Sequence, residues 1–188
     1  GQPHAAAVLA KHEAQSTNSE DGVWAAQAMA AAVSVACAGV QVEEVISVAQ
    51  SYLPRDSWIH RSVNEALSMC ETNRPLLENI PRLHETVSNR VYSHGTAAPE
   101  TFALTLAIFK LTQGNFETAV FMANGFAKNA DSVPAFVGAL CGAMSDEENF
   151  FPAWQRGIQR LRGICIPALA GVDYLALVEQ LVMVIDEP

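Results

Sequence analysis

The chain has 188 residues, half of them hydrophobic, and a formal net charge of −9 at pH 7. This length and hydrophobic content predict a single domain with a sizeable core over residues 1–188. Nucleic acid and anionic membranes attract proteins with clustered Lys and Arg, so an acidic chain excludes both as main partners. A single nucleotide held in a local pocket remains compatible with this charge.

The four cysteines of the chain predict a reducing compartment, which we take to be the cytoplasm. None of them forms a C-x-x-C pair, so all four are expected to be free thiols. The chain begins at Gly1 without a signal peptide and without methionine, as a cut end would. Its longest apolar stretch, residues 23–40, carries Gln27 and Ser34 and predicts a buried helix instead of a membrane span.

Apolar residues recur at helical spacing along most of the chain, and no hairpin signal separates alternating runs. The pattern therefore predicts an all-α fold of roughly eight to ten helices. Asp56-Ser57 is expected to cap the helix that starts at Trp58, and Asp173 the last one. The expected helices are 4–14, 23–38, 41–52, 58–70, a short one after Pro75, 82–91, 101–111, two between 114 and 144, and 168–185.

The stretch from Gly114 to Met144 reads as helix, short polar loop, helix. Its second helix has small residues at every fourth position, which allow another backbone to come close. This pattern predicts a central helix that is packed on several sides. The small residues form two rows, Ala135, Ala139 and Ala143 on one and Gly138 and Gly142 on the other.

The loop between these helices holds three oxygen-bearing side chains within four residues: Asn129, Asp131 and Ser132. One interpretation is N-capping of the following helix, which has Pro134 in its first turn. The other is a half-site for a hard cation such as Mg²⁺, which prefers oxygen ligands. The residues alone leave both interpretations open.

The flanking sequences GNFETA and VPAFVGALCGAM resemble the C-terminal signature of the ADP-ribosylglycohydrolase family, "gdf..A…a.n.GGDTDT.aaivGallGa". The family's Asp-Thr-Asp-Thr falls on residues 129–132. The resemblance implies that Asn129, Asp131 and Ser132 occupy the places of metal-binding side chains, with Mg²⁺ as the cofactor. The chain departs from the signature in having Asn129 for an aspartate and Ala127-Lys128 for two glycines, which places a cation beside the expected metal.

The resemblance continues in two other segments. EAQSTNSEDGVWAAQAMAAAVSVACAG is similar to the family's "ea.lTHn.pegi.gAqavAaaiflar.g", with Thr17 in the place of its histidine. Residues 93–100 are similar to a segment that borders the ligand. This segment and the signature at 129–132 together imply His94, Thr96 and Asn129 as ligand-binding residues. The alternatives are a capping loop at 16–20 and local hydrogen bonds for His94.

A basic patch near the C-terminus contrasts with the acidic chain. Arg156 and Arg160 are four residues apart, which predicts one helical face. We expect this patch to partner the acidic run at 146–148, with phosphate binding as the alternative.

The resemblance implies a compact orthogonal multi-helix bundle of the ADP-ribosylglycohydrolase type, of which this chain is the C-terminal part. The family's "GaaiGDalG" and "TDDT" motifs do not occur in the sequence. The implied function is Mg²⁺-dependent hydrolysis of a glycosidic bond to ADP-ribose, when the missing N-terminal half completes the site, for instance as a second chain. The alternative is a degenerate, non-catalytic relative that binds a nucleotide or a protein partner, or a fold reused for another reaction. No catalytic residue is assigned.

Overall fold

The computed structural model describes residues 1–70, 73–88, 90–91, 97–145, 157 and 159–186. Within these ranges the chain forms α-helices and short 3₁₀ helices and no β-strand, which confirms the all-α prediction. The α-helices are α1 (Pro3–Ala14), α2 (Asp21–Ala36), α3 (Val42–Ser51), α4 (Trp58–Met69), α5 (Asn79–Thr86), α6 (Ala98–Thr112), α7 (Phe116–Ala123), α8 (Val133–Met144) and α9 (Tyr174–Asp186). The 3₁₀ helices are Leu76–Glu78, Ala127–Asn129 and Pro167–Leu169.

Contacts divide the chain into two units, Gly1–Asp146 and Glu147–Pro188. Helices α1 to α8 belong to the first unit and α9 to the second. The expectation of a single domain over residues 1–188 stays a prediction.

Helix α6 is the centre of the first unit. Thirteen of its 15 residues are buried. The helix carries apolar side chains on all of its faces, as is typical of a buried helix. It packs against α2, α3, α4, α7 and α8. Its buried Thr105 and Thr112 hydroxyls donate to the carbonyls of Thr101 and Ile108, both at 2.8 Å, so neither is left without a hydrogen bond.

Helix α8 does not have the central position that its small residues predicted. Its buried side chains Val133, Val137, Leu140 and Cys141 form one face, whereas Ala135 and Ala139 are exposed. Small residues permit a close approach, but larger apolar side chains contribute more free energy on burial, and these orient the helix. Burial also raises the pKa of the Cys141 thiol to about 12.

Two predicted capping residues, Ser57 and Asp173, are confirmed by their hydrogen bonds. The Ser57 hydroxyl accepts a hydrogen bond from the backbone N–H of His60 at 3.2 Å. Asp173 accepts from the N–H groups of Leu175 and Ala176 at 3.1 and 3.2 Å.

The predicted helix 82–91 is observed as α5, which begins earlier, at Asn79, contains Pro81 in its first turn and already ends at Thr86. Proline is tolerated there, since the first N–H groups of a helix have no partner inside the helix.

In the second unit, Arg160 is not helical, and the predicted helical face with Arg156 is wrong at this position. Arg160 instead forms an isolated antiparallel bridge with Asp173. Its guanidinium donates to the carbonyl of Gly171 at 3.0 Å. Arg156 and the acidic run 146–148 lie outside the described residues. The last helix starts at residue 174 instead of 168, because Gly171, at φ +83°, separates it from the preceding 3₁₀ helix.

All four cysteines are free, as predicted: Cys37 and Cys165 are exposed, Cys70 is half-buried and Cys141 is buried. Burial raises the pKa of Cys70 to about 11, although the nearby Lys110 ammonium opposes the shift. Across the described ranges, no helix is both long enough and apolar enough to cross a membrane.

Candidate functional site

Two adjoining cavities lie in the first unit. The first, which we call the apolar cleft, has a volume of about 840 Å³ and is lined by parts of α1, α2, α6 and α8. The second, which we call the polar groove, has a volume of about 680 Å³ and is lined by loop 15–20, Trp58 and the start of α6. They share Asn18, Gly22 and Ala98. Volumes of this size are typical of small-molecule sites.

The apolar cleft owes its character mainly to α2, whose alanines leave an open channel along the helix. Met29 and Val33 of α2 line it, together with Phe102 and the 40% exposed Phe136. Four polar side chains also line this cleft: Asn18, Ser34, Thr101 and Ser132. An apolar cavity with few polar groups suits a small organic ligand, which the polar groups hold in one orientation.

The polar groove is formed largely by loop 15–20, whose side chains are exposed. Its hydrogen bonds are local: Ser16 Oγ donates to Glu13 O at 2.7 Å, and Asn18 Nδ2 donates to Thr17 Oγ1 at 3.0 Å. The alternative of a capping loop is wrong here, because the residue before α2 is Glu20, which makes no side-chain capping bond. Glu20 has φ +44° and ψ −118°, a backbone conformation that favours glycine.

The loop on the other side, residues 127–132, is anchored to the first turn of α6. Lys128 Nζ forms an ion pair with Glu100 Oε2 at 2.6 Å, with side chains 13% and 2% exposed. The next residue, Asn129, is fully buried, and its Nδ2 donates to Thr101 Oγ1 at 3.2 Å. Two successive loop residues therefore contact two successive residues of α6.

Asp131 and Ser132 lie at the end of this loop. Asp131 is exposed, and Ser132 Oγ donates to its Oδ1 at 3.0 Å. Pro134 lies in the first turn of α8 as predicted, but Ser132 makes no side-chain capping bond, so that prediction is wrong. The reason is its backbone, which is already helical at φ −98° and ψ −49°, whereas capping residues are typically extended.

The residues of this loop do not by themselves form a Mg²⁺ site. Mg²⁺ demands oxygen ligands in near-octahedral geometry, commonly including carboxylates. The loop offers one carboxylate, Asp131, and one hydroxyl, Ser132, while Asn129 is enclosed in the core. Nowhere in the described part of the chain do three or more His, Cys, Asp or Glu side chains form a group that could hold a metal ion. The cation at position 128 is matched by Glu100.

The structure places some of the predicted site residues at the cavities and others away from them. Ser132 lines the apolar cleft with Thr101, while Asn129 lies behind it in the core. His94 and Thr96 lie outside the described residues, although Ala97, which follows them, lines the polar groove. The assignments of His94, Thr96, Asn129, Asp131 and Ser132 as ligand or metal residues stay predictions.

Sequence reasoning missed the pairing of Lys128 with Glu100 and the place of Phe102 and Phe136 in the cleft wall. Opposite charges 28 residues apart carry no local signal of contact. Phe102 is also part of the core, since it is only 3% exposed.

The described part of the chain is an all-α fold with a partly apolar cleft that is bordered by polar loops and helix starts. The family model of ADP-ribosylglycohydrolase matches residues 1–187, and the chain belongs to that family. This confirms the resemblance found in the sequence. Searches of curated proteins and of solved structures gave no match.

Proposed function

We propose that this chain supplies the C-terminal half of an ADP-ribosyl hydrolase, and that the apolar cleft and polar groove are its ligand-facing surfaces. The main support for this proposal is that three separate segments of the chain converge on the two cavities. Loop 15–20, the start of α6 and loop 127–132 are far apart in sequence, each belongs to a family-like segment, and all three border adjoining cavities.

The two cavities suit the two ends of an ADP-ribose-type ligand. Aromatic and aliphatic walls in the apolar cleft, such as Phe102, Phe136 and Met29, match an adenine ring. The hydroxyl and amide groups of Ser16 and Asn18 in the polar groove match ribose hydroxyls. The full chemistry of hydrolysis needs carboxylates beyond Asp131. We propose that the segments with the family's "TDDT" motif supply them, from the same protein or from a second chain.

A specific observation favours a second candidate, a non-catalytic relative that binds a nucleotide or a protein partner. Asn129 stands where the family has its first aspartate, and it is fully buried with a bond to Thr101. That position therefore presents no carboxylate to the cleft. Free cysteines support our placement of either form in the reducing cytoplasm.

The test is a thermal-shift titration with ADP-ribose, with and without Mg²⁺, on the chain alone and co-expressed with a segment that carries "TDDT". A ligand that binds only the folded state raises the melting temperature. We expect an upshift that Ser132→Ala reduces. The matched control is Ser145→Ala at the opposite end of α8, where the hydroxyl donates to Cys141 O at 2.7 Å.

A hydrolysis assay on the co-expressed sample separates the two candidates. Release of ADP-ribose from a modified protein supports the hydrolase. Binding without release, in a sample shown to contain both halves, supports the non-catalytic relative. The absence of any upshift in that sample would overturn the ligand site itself.

A further inference from the structure

The double contact between loop 127–132 and α6 is the feature that neither the fold nor the proposed function accounts for. Lys128 and Asn129 contact Glu100 and Thr101 in sequence order, through one ion pair and one hydrogen bond. Both acceptor residues are nearly or fully buried, at 1% and 6% exposure. A fixed charge of this kind is unusual in a site where the family's signature has glycine.

The Lys128 ammonium group can hold the loop by its positive charge, as a bound structural cation does. A loop whose carboxylates face a divalent ion is held by the ion's positive charge. Here the positive charge is the chain's own ammonium group, 2.6 Å from a carboxylate oxygen that water hardly reaches. Charge-assisted hydrogen bonds of this length are among the stronger ones in proteins.

The anchor is connected to the cleft by a short run of backbone bonds. The N–H of Asn129 donates to Phe126 O at 2.8 Å, and that of Ser132 donates to Asn129 O at 3.1 Å. Ser132 is therefore placed one turn from the anchored Asn129. Ser132 lines the same cleft as Thr101, the residue to which Asn129 is bonded. Release of the anchor would alter this wall of the cleft.

We infer that the Lys128–Glu100 ion pair holds loop 127–132 against α6 in place of a divalent cation, so that the cleft is assembled and takes its ADP-ribose-type ligand without Mg²⁺. The statement about the ligand rests on the proposed function, whereas the statement about the loop does not. Lys128 and Glu100 act as positioning residues, since they set the place of Ser132 through the loop.

Hydrogen exchange of the amides at 127–132 tests the loop directly. In the unmodified chain we expect equal protection in EDTA and in MgCl₂. Lys128→Met should release this loop and raise its exchange, while Lys128→Arg, which keeps the charge, should preserve protection. The matched control is Lys110→Met, which removes a partly buried lysine that donates to Leu67 O at 3.2 Å.

Glu100→Gln provides a second variant of nearly unchanged shape, in case Lys128→Met does not fold. It removes the negative charge and should raise exchange in the same loop while helices α2 and α4 stay protected. Protection that increases with Mg²⁺ in the unmodified chain would overturn the inference. Unchanged loop protection in Glu100→Gln would overturn it as well.

Calorimetric titration with ADP-ribose tests the cleft. We expect equal affinity in EDTA and in MgCl₂, and roughly tenfold weaker binding in Glu100→Gln if its loop is seated about a tenth of the time. Binding that requires Mg²⁺ would overturn the inference but support the proposed function. No binding in either buffer would count against the proposed function, and hydrogen exchange alone would then decide whether the ion pair replaces a cation in holding the loop.

Discussion

The two loops that border the cavities both carry polar side chains but are held in place in different ways. Loop 127–132 is tied to α6 by contacts that span 28 residues and are largely shielded from water. Loop 15–20 is exposed, and its side-chain bonds to the described residues reach no further than three positions along the chain. The packing of the neighbouring helix, more than the polar residues themselves, therefore decides which loop is fixed. Loop 127–132 is bonded to the buried start of α6, whereas the side chains of loop 15–20 are exposed to solvent.

Among the substitutions in these two loops, Lys128→Met should cause the largest loss of stability. It leaves Glu100, only 2% exposed as a side chain, without its cation, and loss of one partner of a buried pair costs about 3–5 kcal/mol. Urea unfolding should show this loss in the free energy of unfolding. Arg90→Met is the matched control, because the Arg90–Glu65 pair is 52% and 41% exposed and such pairs contribute about 0–1 kcal/mol. Equal losses in the two variants would contradict the contrast.

Asn129→Asp should have the next largest effect. It restores the residue type of the family signature, but it removes the amide hydrogens that donate to Thr101 and buries a carboxylate. We expect a loss of about 1–3 kcal/mol or more in unfolding free energy. Asp131→Asn makes the reverse change at an exposed position and should alter stability by less than about 0.5 kcal/mol. A gain of stability in Asn129→Asp would show that the side chain at position 129 reaches water instead of being enclosed in the core.

In loop 15–20, Glu20→Gly should raise stability. Glu20 holds φ +44° without a capping bond, and a conformation disfavoured for side chains costs on the order of 1 kcal/mol. Glycine removes that cost, although it also loosens the unfolded chain, so a gain of a few tenths to about 1 kcal/mol is expected. Thermal unfolding measures the gain, with Ser19→Gly beside it as the control. A loss in Glu20→Gly would mean that this loop is held by more than its local bonds.

The smallest expected effect is a lack of labelling at Cys141, on the packed face of α8. Thiolates are the reactive form, and burial raises the pKa of Cys141 to about 12, so a thiol reagent at pH 8 should spare it and modify exposed Cys37. Because the pKa in the fold lies above the ordinary value of 9.0, the neutral thiol stabilises the fold below about pH 9. That contribution is lost as the pH rises towards 12. Rapid labelling of Cys141 in the folded chain would show that the buried face of α8 opens to solvent.

Much of the fold was predictable because apolar spacing and helix caps are local signals. Ser57 and Asp173 were correctly identified as caps, since capping bonds reach only two or three residues. The central position of α6 was not predicted. Small-residue rows in α8 suggested a crowded helix, whereas burial follows the large apolar side chains that surround α6.

The candidate site was predictable in its segments but not in its contacts. The loop with Asn129 and Ser132 was identified from its resemblance, yet which of them faces the cleft depends on how the chain turns at 127–129. The Lys128–Glu100 pair was out of reach, because it joins residues that only the packing of α6 against the loop brings together. Spacing along a sequence carries no record of such a pairing.

The position of α6 also bears on how the chain is made. During synthesis the ribosome delivers α6 before α7 and α8, two of the helices that cover it. At 5–20 residues per second, residues 113–144 need roughly 2–6 s to appear. During this interval the apolar helix α6 lacks two of the helices that cover it in the folded chain. Its exposed apolar surface makes the nascent chain prone to aggregation and to binding by chaperones. Slow translation across this stretch would therefore lower the yield of folded protein more than slow translation before residue 98.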